Sequence, residues 1–178
     1  MMQASSEPFQ LGTPGTGTVN YLAAVLFAQQ AGVKAQFIPY KGSGPLTTDH
    51  AGGHVKVGFN PIPPSRGAIE SGLIRALAAT SLKRSALFPD LPTVAEALPG
   101  YEAVLHYGIV APAGTPKAVV TKLNAALRQA VSSEEMKHKL AADGTEPLAS
   151  TPEEYAADID KEETKWSAIV KKSGAKAE

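Results

Sequence analysis

Apolar residues in this chain cluster in short runs for the first two-thirds and fall into helical stripes afterwards. Runs rich in aliphatic residues and bounded by turn signals predict strands at Lys34–Ile38, His54–Phe59, Ile74–Thr80 and Val104–Val110. Helical patterns lie between them at Val19–Gln30, near Leu46–Ala51 and at Pro63–Ser71. Strand–helix alternation at this spacing predicts an α/β architecture with a mainly parallel sheet flanked by helices. Glycine and proline punctuate the chain heavily through residue 116 and sparsely after it. In the later part, Val119, Val120, Leu123, Leu127, Ala130 and Val131 share one helix face. Tyr155, Ile159, Trp166, Ile169 and Val170 make a similar stripe, and a shorter helix is expected near Ser133–Ala142. Amphipathic helices usually pack on their own protein's core, and that is the expectation for both stripes.

Three helix starts are written into the sequence. Thr115 before Pro116 and Thr151 before Pro152 each place a capping hydroxyl ahead of a proline at the first helical position. Glu154 completes a capping box with Thr151, and Thr93 with Glu96 makes another.

The stretch Gly12–Thr18, GTPGTGT, holds only glycine, threonine and proline and runs directly into the first helix. Glycines allow backbone N–H groups to converge on a point, because no Cβ blocks the approach. A helix start adds unpaired N–H groups and the positive end of the helix dipole. The hydroxyls of Thr13, Thr16 and Thr18 add possible donors, so the segment suits a carboxylate or phosphate. A plain connector with Thr18 capping the helix fits the spacing equally well. Nucleotide readings fail on detail: Gly17 is followed by Thr18 and Val19, not by the lysine and hydroxyl residue of a P-loop. Asn20 stands where a dinucleotide fingerprint needs its third glycine. A second glycine-rich turn, Pro39–Pro45, carries Lys41 and Ser43. It reads either as a supplementary anion contact or as a surface turn.

Composition narrows the field. With 178 residues the chain can bury one real core. Its 17 basic and 17 acidic side chains balance, which argues against a nucleic-acid partner. Cysteine is absent, which removes disulfides, thiol nucleophiles and thiolate metal sites. No apolar run approaches the roughly 20 residues of a membrane span. The opening MMQASSEPFQ lacks the cationic and apolar pattern of a secretory signal. His50 and His54 have metal-ligand spacing only on a continuous helix, and Gly52 and Gly53 break it, so no metal and no cofactor is expected. No nucleophile elbow surrounds a serine, and no paired carboxylates occur in the glycine-rich half, so an enzyme is not expected.

Several of these segments together are similar to one family. GTPGTGTVNYLAAVLF, IPYKGSGP, GLIRALAATSLKRSALFPDLPTVAEALPGYEA, GIVAPAGTPKAVVTKLN and STPEEYAADIDKEETKW resemble, in order and spacing, the solute receptors of tripartite tricarboxylate transporters. These are also called Bug-type periplasmic binding proteins. The resemblance runs from about Gly12 to Gly174. It implies a periplasmic binding protein type II-like, two-lobed receptor that closes on a small carboxylate and delivers it to membrane transporter subunits. It also implies a periplasmic location. In the family a glycine-rich loop from each lobe grips a carboxylate. GTPGTGT corresponds to the second lobe's loop, so Thr13, Gly15, Thr16, Gly17 and Thr18 would hold the head group. Nothing here matches the first lobe, so the chain is expected to be a truncated form.

The resemblance divides the chain into a poorly ordered or strand-like segment over 1–11, a second-lobe ligand-binding domain over 12–103, and a crossover strand with C-terminal helices over 104–178. Those helices would normally pack partly on the absent lobe, which leads to an expected homo-oligomer covering the faces it leaves. Tyr21 stands where many members have histidine, Asn60 where an aspartate is frequent, and His106 where tryptophan is common. With Lys41 and Ser43, these three complete the candidate ligand contacts. Two other readings stay open: an oligomeric interaction module without ligand, and a small-molecule enzyme on the same scaffold.

Overall fold

The computed structural model describes residues 7–173. Their order is β1 (Phe9–Thr13), α1 (Val19–Ala31), β2 (Ala35–Pro39), α2 (Ser43–Ala51), α3 (Ile62–Glu70), α4 (Val94–Ala97), α5 (Lys117–Val131), α6 (Glu134–Ala142) and α7 (Pro152–Ser173). The described residues form two compact units, one of residues 7–105 with 168–173 and one of residues 106–167.

In the first unit β1 and β2 pair in parallel, from Phe9 opposite Ala35 to Thr13 opposite Pro39. Parallel neighbours need a crossover, and α1 supplies it. The helix starts at Thr18, whose hydroxyl accepts the Tyr21 N–H, and stops at Gly32, which takes the left-handed φ of 63° that a side chain disfavours. Its inner face is built from Ala23, Ala24, Val25 and Ala28, all buried. Small side chains there let the helix lie close to the sheet, over the buried Leu11. Phe27 adds ring contacts with Phe59 and Tyr101 at 5.7 and 6.4 Å. Tyr101 is fully buried, and its hydroxyl donates to the Ala23 carbonyl at 3.0 Å. Burial pushes this phenol well above its ordinary range, so it stays a neutral donor.

The other sheet face is packed backbone to side chain. A Cβ on Gly12 would lie 2.6 Å from Leu46 Cδ1 and 2.9 Å from Val55 Cγ1. Glycine at this position leaves room for the fully buried Leu46 of α2 against the strand backbone.

Two expected strands shrink to single bridges: Gly58 pairs with Gly12, and Ala79 with Thr93. The expected strand at Val104–Val110 does not form. Residues 104–111 run without helix or strand, and their backbone makes no backbone hydrogen bond among the described residues. Aliphatic composition favours an extended chain, but a strand also needs a neighbour to pair with. Conversely, β1 reaches back to Phe9, across the boundary expected at residue 11.

In the second unit the capping box of α7 forms as expected. The Thr151 N–H donates to Glu154 Oε2 at 2.8 Å, and the Glu154 N–H to Thr151 Oγ1 at 3.1 Å. The Thr93–Glu96 box at α4 is also present. At α5 the register differs from expectation. Pro116 is the cap residue, and the Thr115 hydroxyl turns back to the Pro112 carbonyl at 2.8 Å. The expected burial of the α5 stripe fails: no residue of α5 is buried, and Leu123 is 53% exposed. On α7, Trp166 and Ile169 are buried while Ile159 is exposed. A Cβ on Gly108 would overlap the Tyr155 ring, so glycine is required there for α7 to pack on this segment.

Candidate functional site at the carboxyl edge of the sheet

The backbone hydrogen bonds of the first unit line up three parallel segments in the order β2, β1 and residues 57–59. Gly12 donates to Val57 O and Phe59 to Gly12 O, each at 2.9 Å. Beyond the strand ends the pairing continues: Tyr40 donates to Thr13 O and Gly42 to Pro14 O, each at 2.8 Å. The loops leaving the three segments therefore emerge side by side. They carry Gly15–Thr18, Lys41–Ser43 and Asn60. Open α/β sheets bind ligands outside the carboxyl ends of their strands, which is where this edge lies.

The first loop leads into α1. The Thr18 hydroxyl donates to the Gly15 carbonyl at 2.7 Å and accepts the Tyr21 N–H at 3.2 Å. The Thr18 N–H also returns to Gly15 O, at 3.3 Å. Thr18 is thus an internal cap. Its one proton is spent, and the donor role expected of it is corrected to holding the loop closed. The N–H groups of Gly15, Thr16, Gly17, Val19 and Asn20 have no protein acceptor among the described residues. Gly17 is exposed, and a Cβ there would meet nothing within 4 Å. Five amides and a positive helix end at an open lip are what an oxyanion needs.

Thr16 sits half-buried on this lip, and Thr13 lies behind it, fully buried with its hydroxyl unpaired. The Tyr21 ring is packed on Phe37, with ring centroids 5.3 Å apart. The ring is therefore part of the packing between α1 and β2.

The second loop ends in another helix start. Gly42 has a φ of 107°, which suits glycine, and caps α2 without a side-chain bond. Ser43 opens that helix, half-buried, and Lys41 is exposed on the turn before it. A cation and a second set of helix amides thus flank the first loop. Just inside, the Tyr40 hydroxyl donates to Asp49 Oδ2 at 2.8 Å. Burial, and then the neighbouring Asp49, raise the Tyr40 phenol above its ordinary range.

Asn60 completes the edge. Its Nδ2 donates to Thr47 Oγ1 at 3.0 Å, and Thr47 Oγ1 donates to Ser43 O at 2.8 Å. Asn60 Oδ1 is buried and unpaired, as are His50 Nδ1 and Ser65 Oγ. Sequence reasoning named Asn60 but missed Thr47, whose only signal is its place one turn after Ser43, where a hydroxyl can bond back to the helix.

His106 belongs to the other unit, where its Nδ1 lies 2.9 Å from Asp158 Oδ2. The described residues contain no group of three or more side chains able to hold a metal ion. None of their helices is long and apolar enough to cross a membrane.

Comparison with known proteins bears on the fold and the family. The tripartite tricarboxylate transporter family receptor pattern matches residues 2–175. Protein BugT of Bordetella pertussis is 35% identical over 161 residues, covering 90% of this chain and 49% of BugT. Among solved structures, R. palustris Rpa4515 with adipate superposes with a TM-score of 0.89 at 33% identity, over 98% of this chain and 58% of that one. MatC from Rhodopseudomonas palustris with bound malate gives 0.74 at 25% identity, over 95% and 59%. The chain thus spans about half the length of the curated relative and three-fifths of the solved ones. Its α/β fold, with a small parallel sheet and flanking helices, is the periplasmic-binding-protein fold of these relatives. With its family pattern running almost from end to end, the chain belongs to the tripartite tricarboxylate transporter receptor family.

Proposed function

We propose that this chain binds a small carboxylate at the Gly15–Thr18 lip and serves, in the periplasm, as a receptor that passes the solute to a tripartite transporter without altering it. The observation that carries this reading is the set of five unpaired amides at the mouth of α1, beside Lys41 and the start of α2. Charge-assisted hydrogen bonds to such amides are stronger than neutral ones, and a carboxylate accepts several at once. The adipate and malate held by two solved relatives are acids of the class this lip suits. On this reading residues 12–103 carry the binding half of a second lobe. Residues 104–178 supply the crossover and the helices that pack partly against a first lobe.

A thermal-shift panel of mono-, di- and tricarboxylates tests the proposal. An acid at a hundred times its Kd stabilises by about 2.7 kcal/mol. For a chain of this size that raises Tm by roughly 5–10 °C. A flat panel would overturn the reading.

A second reading is favoured by the surface of the other unit. Tyr107, Ile109 and Val110 are each more than 70% exposed, and Val119 and Leu123 of α5 are also uncovered. Neighbouring apolar side chains left in water mark an association surface, and a second copy of the chain is the proposed cover. Light scattering is expected to report a dimer or larger; a monodisperse monomer would refute it.

A further inference from the structure

The segment Ile74–Thr80, expected as a strand, is paired in the structure only by the parallel bridge of Ala79 with Thr93. There the Ala79 N–H donates to Pro92 O and the Val94 N–H to Ala79 O, each at 2.9 Å. Ahead of that bridge no further backbone bond joins the two segments among the described residues. Between them lies a solvent-open cleft of about 500 Å³, with Ala76 and Leu77 on one wall and Leu87, Phe88, Leu91 and Pro92 on the other. Clefts of about 300–1,000 Å³ are the size that takes ligands.

The wall at Ala76 and Leu77 is a strand edge without a neighbour. Residues 75–78 make no backbone hydrogen bond, as donor or acceptor, among the described residues. Their exposure alternates as in a strand: Leu73, Arg75 and Leu77 are exposed, while Ile74, Ala76 and Ala78 are half-buried. The cleft thus combines apolar side chains with unpaired peptide groups, and the combination selects its occupant. A compact apolar molecule would cover those peptide groups and leave them unpaired, which is costly. An extended peptide pairs the groups that face it and lays an apolar side chain in the cleft, as in strand addition to a sheet edge.

Charge specifies the occupant further. Arg75 is exposed and makes no hydrogen bond or ion pair among the described residues. It stands two residues from Leu77, on the same face of the edge. Asp90 on the opposite wall already acts on Arg84, whose guanidinium it helps to hold above its ordinary range. An occupant with an apolar residue opposite Leu77 sets the side chain two places along beside Arg75, where an acidic group fits.

We infer that the cleft beside residues 75–78 docks an extended segment of a partner protein, one that carries an apolar and an acidic residue two positions apart. This docking does not involve the Gly15–Thr18 lip.

Fluorescence anisotropy tests this, with the full chain added to a fluorescein-labelled, C-terminally amidated peptide Thr-Val-Thr-Leu-Thr-Asp-Thr and to its reversed sequence, which together cover both strand directions. At least one should bind saturably. Its analogue with asparagine for aspartate should bind about threefold more weakly, the worth of one exposed ion pair. Of two analogues N-methylated at alternate residues, the one blocked on the pairing edge should lose about tenfold, as expected for two hydrogen bonds. Arg75→Gln should remove the preference for aspartate while leaving the melting curve in place, because the side chain is exposed and unpaired. Leu77→Asp should weaken every peptide. If that variant does not fold, Arg75→Gln decides.

No saturable binding of either peptide at millimolar concentration would overturn the inference. So would equal binding of both N-methylated analogues, or an Arg75→Gln protein that keeps the preference for aspartate. Displacement of the peptide by malate would also overturn it, because the peptide's carboxylate would then be held at the lip.

Discussion

Replacing Thr18 with alanine tests the joint between loop and helix on which the lip depends. The substitution deletes an acceptor for the Tyr21 N–H and a donor to the Gly15 carbonyl. Loss of a helix N-cap hydroxyl costs about 1 kcal/mol. A net hydrogen bond to a loop carbonyl is worth about another 1 kcal/mol. Together they should lower stability by about 2 kcal/mol, or roughly 4–8 °C in Tm at this chain length. Urea denaturation followed by circular dichroism measures the first quantity and a thermal melt the second. Thr18→Ser keeps both hydrogen bonds and loses one methyl, so it should stay within about 0.5 kcal/mol of the original. The alanine variant should also bind carboxylates more weakly, because its loop no longer holds the amides converged. An alanine variant as stable as the original, or a serine variant as damaged as alanine, would refute the reasoning.

Other perturbations address the scaffold. Gly12→Ala puts a methyl 2.6 Å from Leu46 Cδ1. Overpacking of this kind should cost about 1–3 kcal/mol in urea denaturation, and an unchanged midpoint would show that α2 does not lie on the strand this closely. Tyr101→Phe removes only the hydroxyl that donates to Ala23 O and should cost about 1 kcal/mol. Tyr101→Ala opens a cavity and should cost about 3–5 kcal/mol, so equal losses from the two would contradict the packing described.

Glu96 is held below its ordinary carboxyl range, first by its paired bonds from Arg84 and then by the Thr93 N–H. Its contribution is therefore complete above the ordinary value of 4.5 and is lost as pH falls through the depressed one. Melts taken from pH 5 downward should fall more steeply for the original chain than for Glu96→Gln, and parallel curves would contradict the assignment.

The helices were more legible than the sheet, for a physical reason. Helical hydrogen bonds are local, so Thr18, Thr93 and Thr151 announce their caps, and the expected helix at Val19–Gln30 differs from α1 by one residue. Strand pairing is decided by residues far apart in sequence. Val104–Val110 has strand composition yet finds no backbone partner among the described residues, while the sequence leaves the stretch before Gly12 open between poorly ordered and strand-like, and Phe9–Thr13 is a strand because Ala35–Pro39 lies beside it.

The same split runs through the site. The glycine–threonine lip could be read directly, because its chemistry lies in consecutive residues. The spent proton of Thr18 and the Thr47–Asn60 relay could not, because each depends on which of several possible partners a hydroxyl takes. Burial of the α5 stripe failed for a similar reason. The periodicity identifies an apolar face but not the surface that covers it.

Amide chemical shifts in a 15N-labelled sample titrated with malate test the central claim most directly. The account predicts large shifts at Gly15, Thr16, Gly17, Val19 and Asn20, the amides without an acceptor among the described residues, with much smaller shifts along α5 and α6. Saturation with the acid while those five signals stay in place would contradict it.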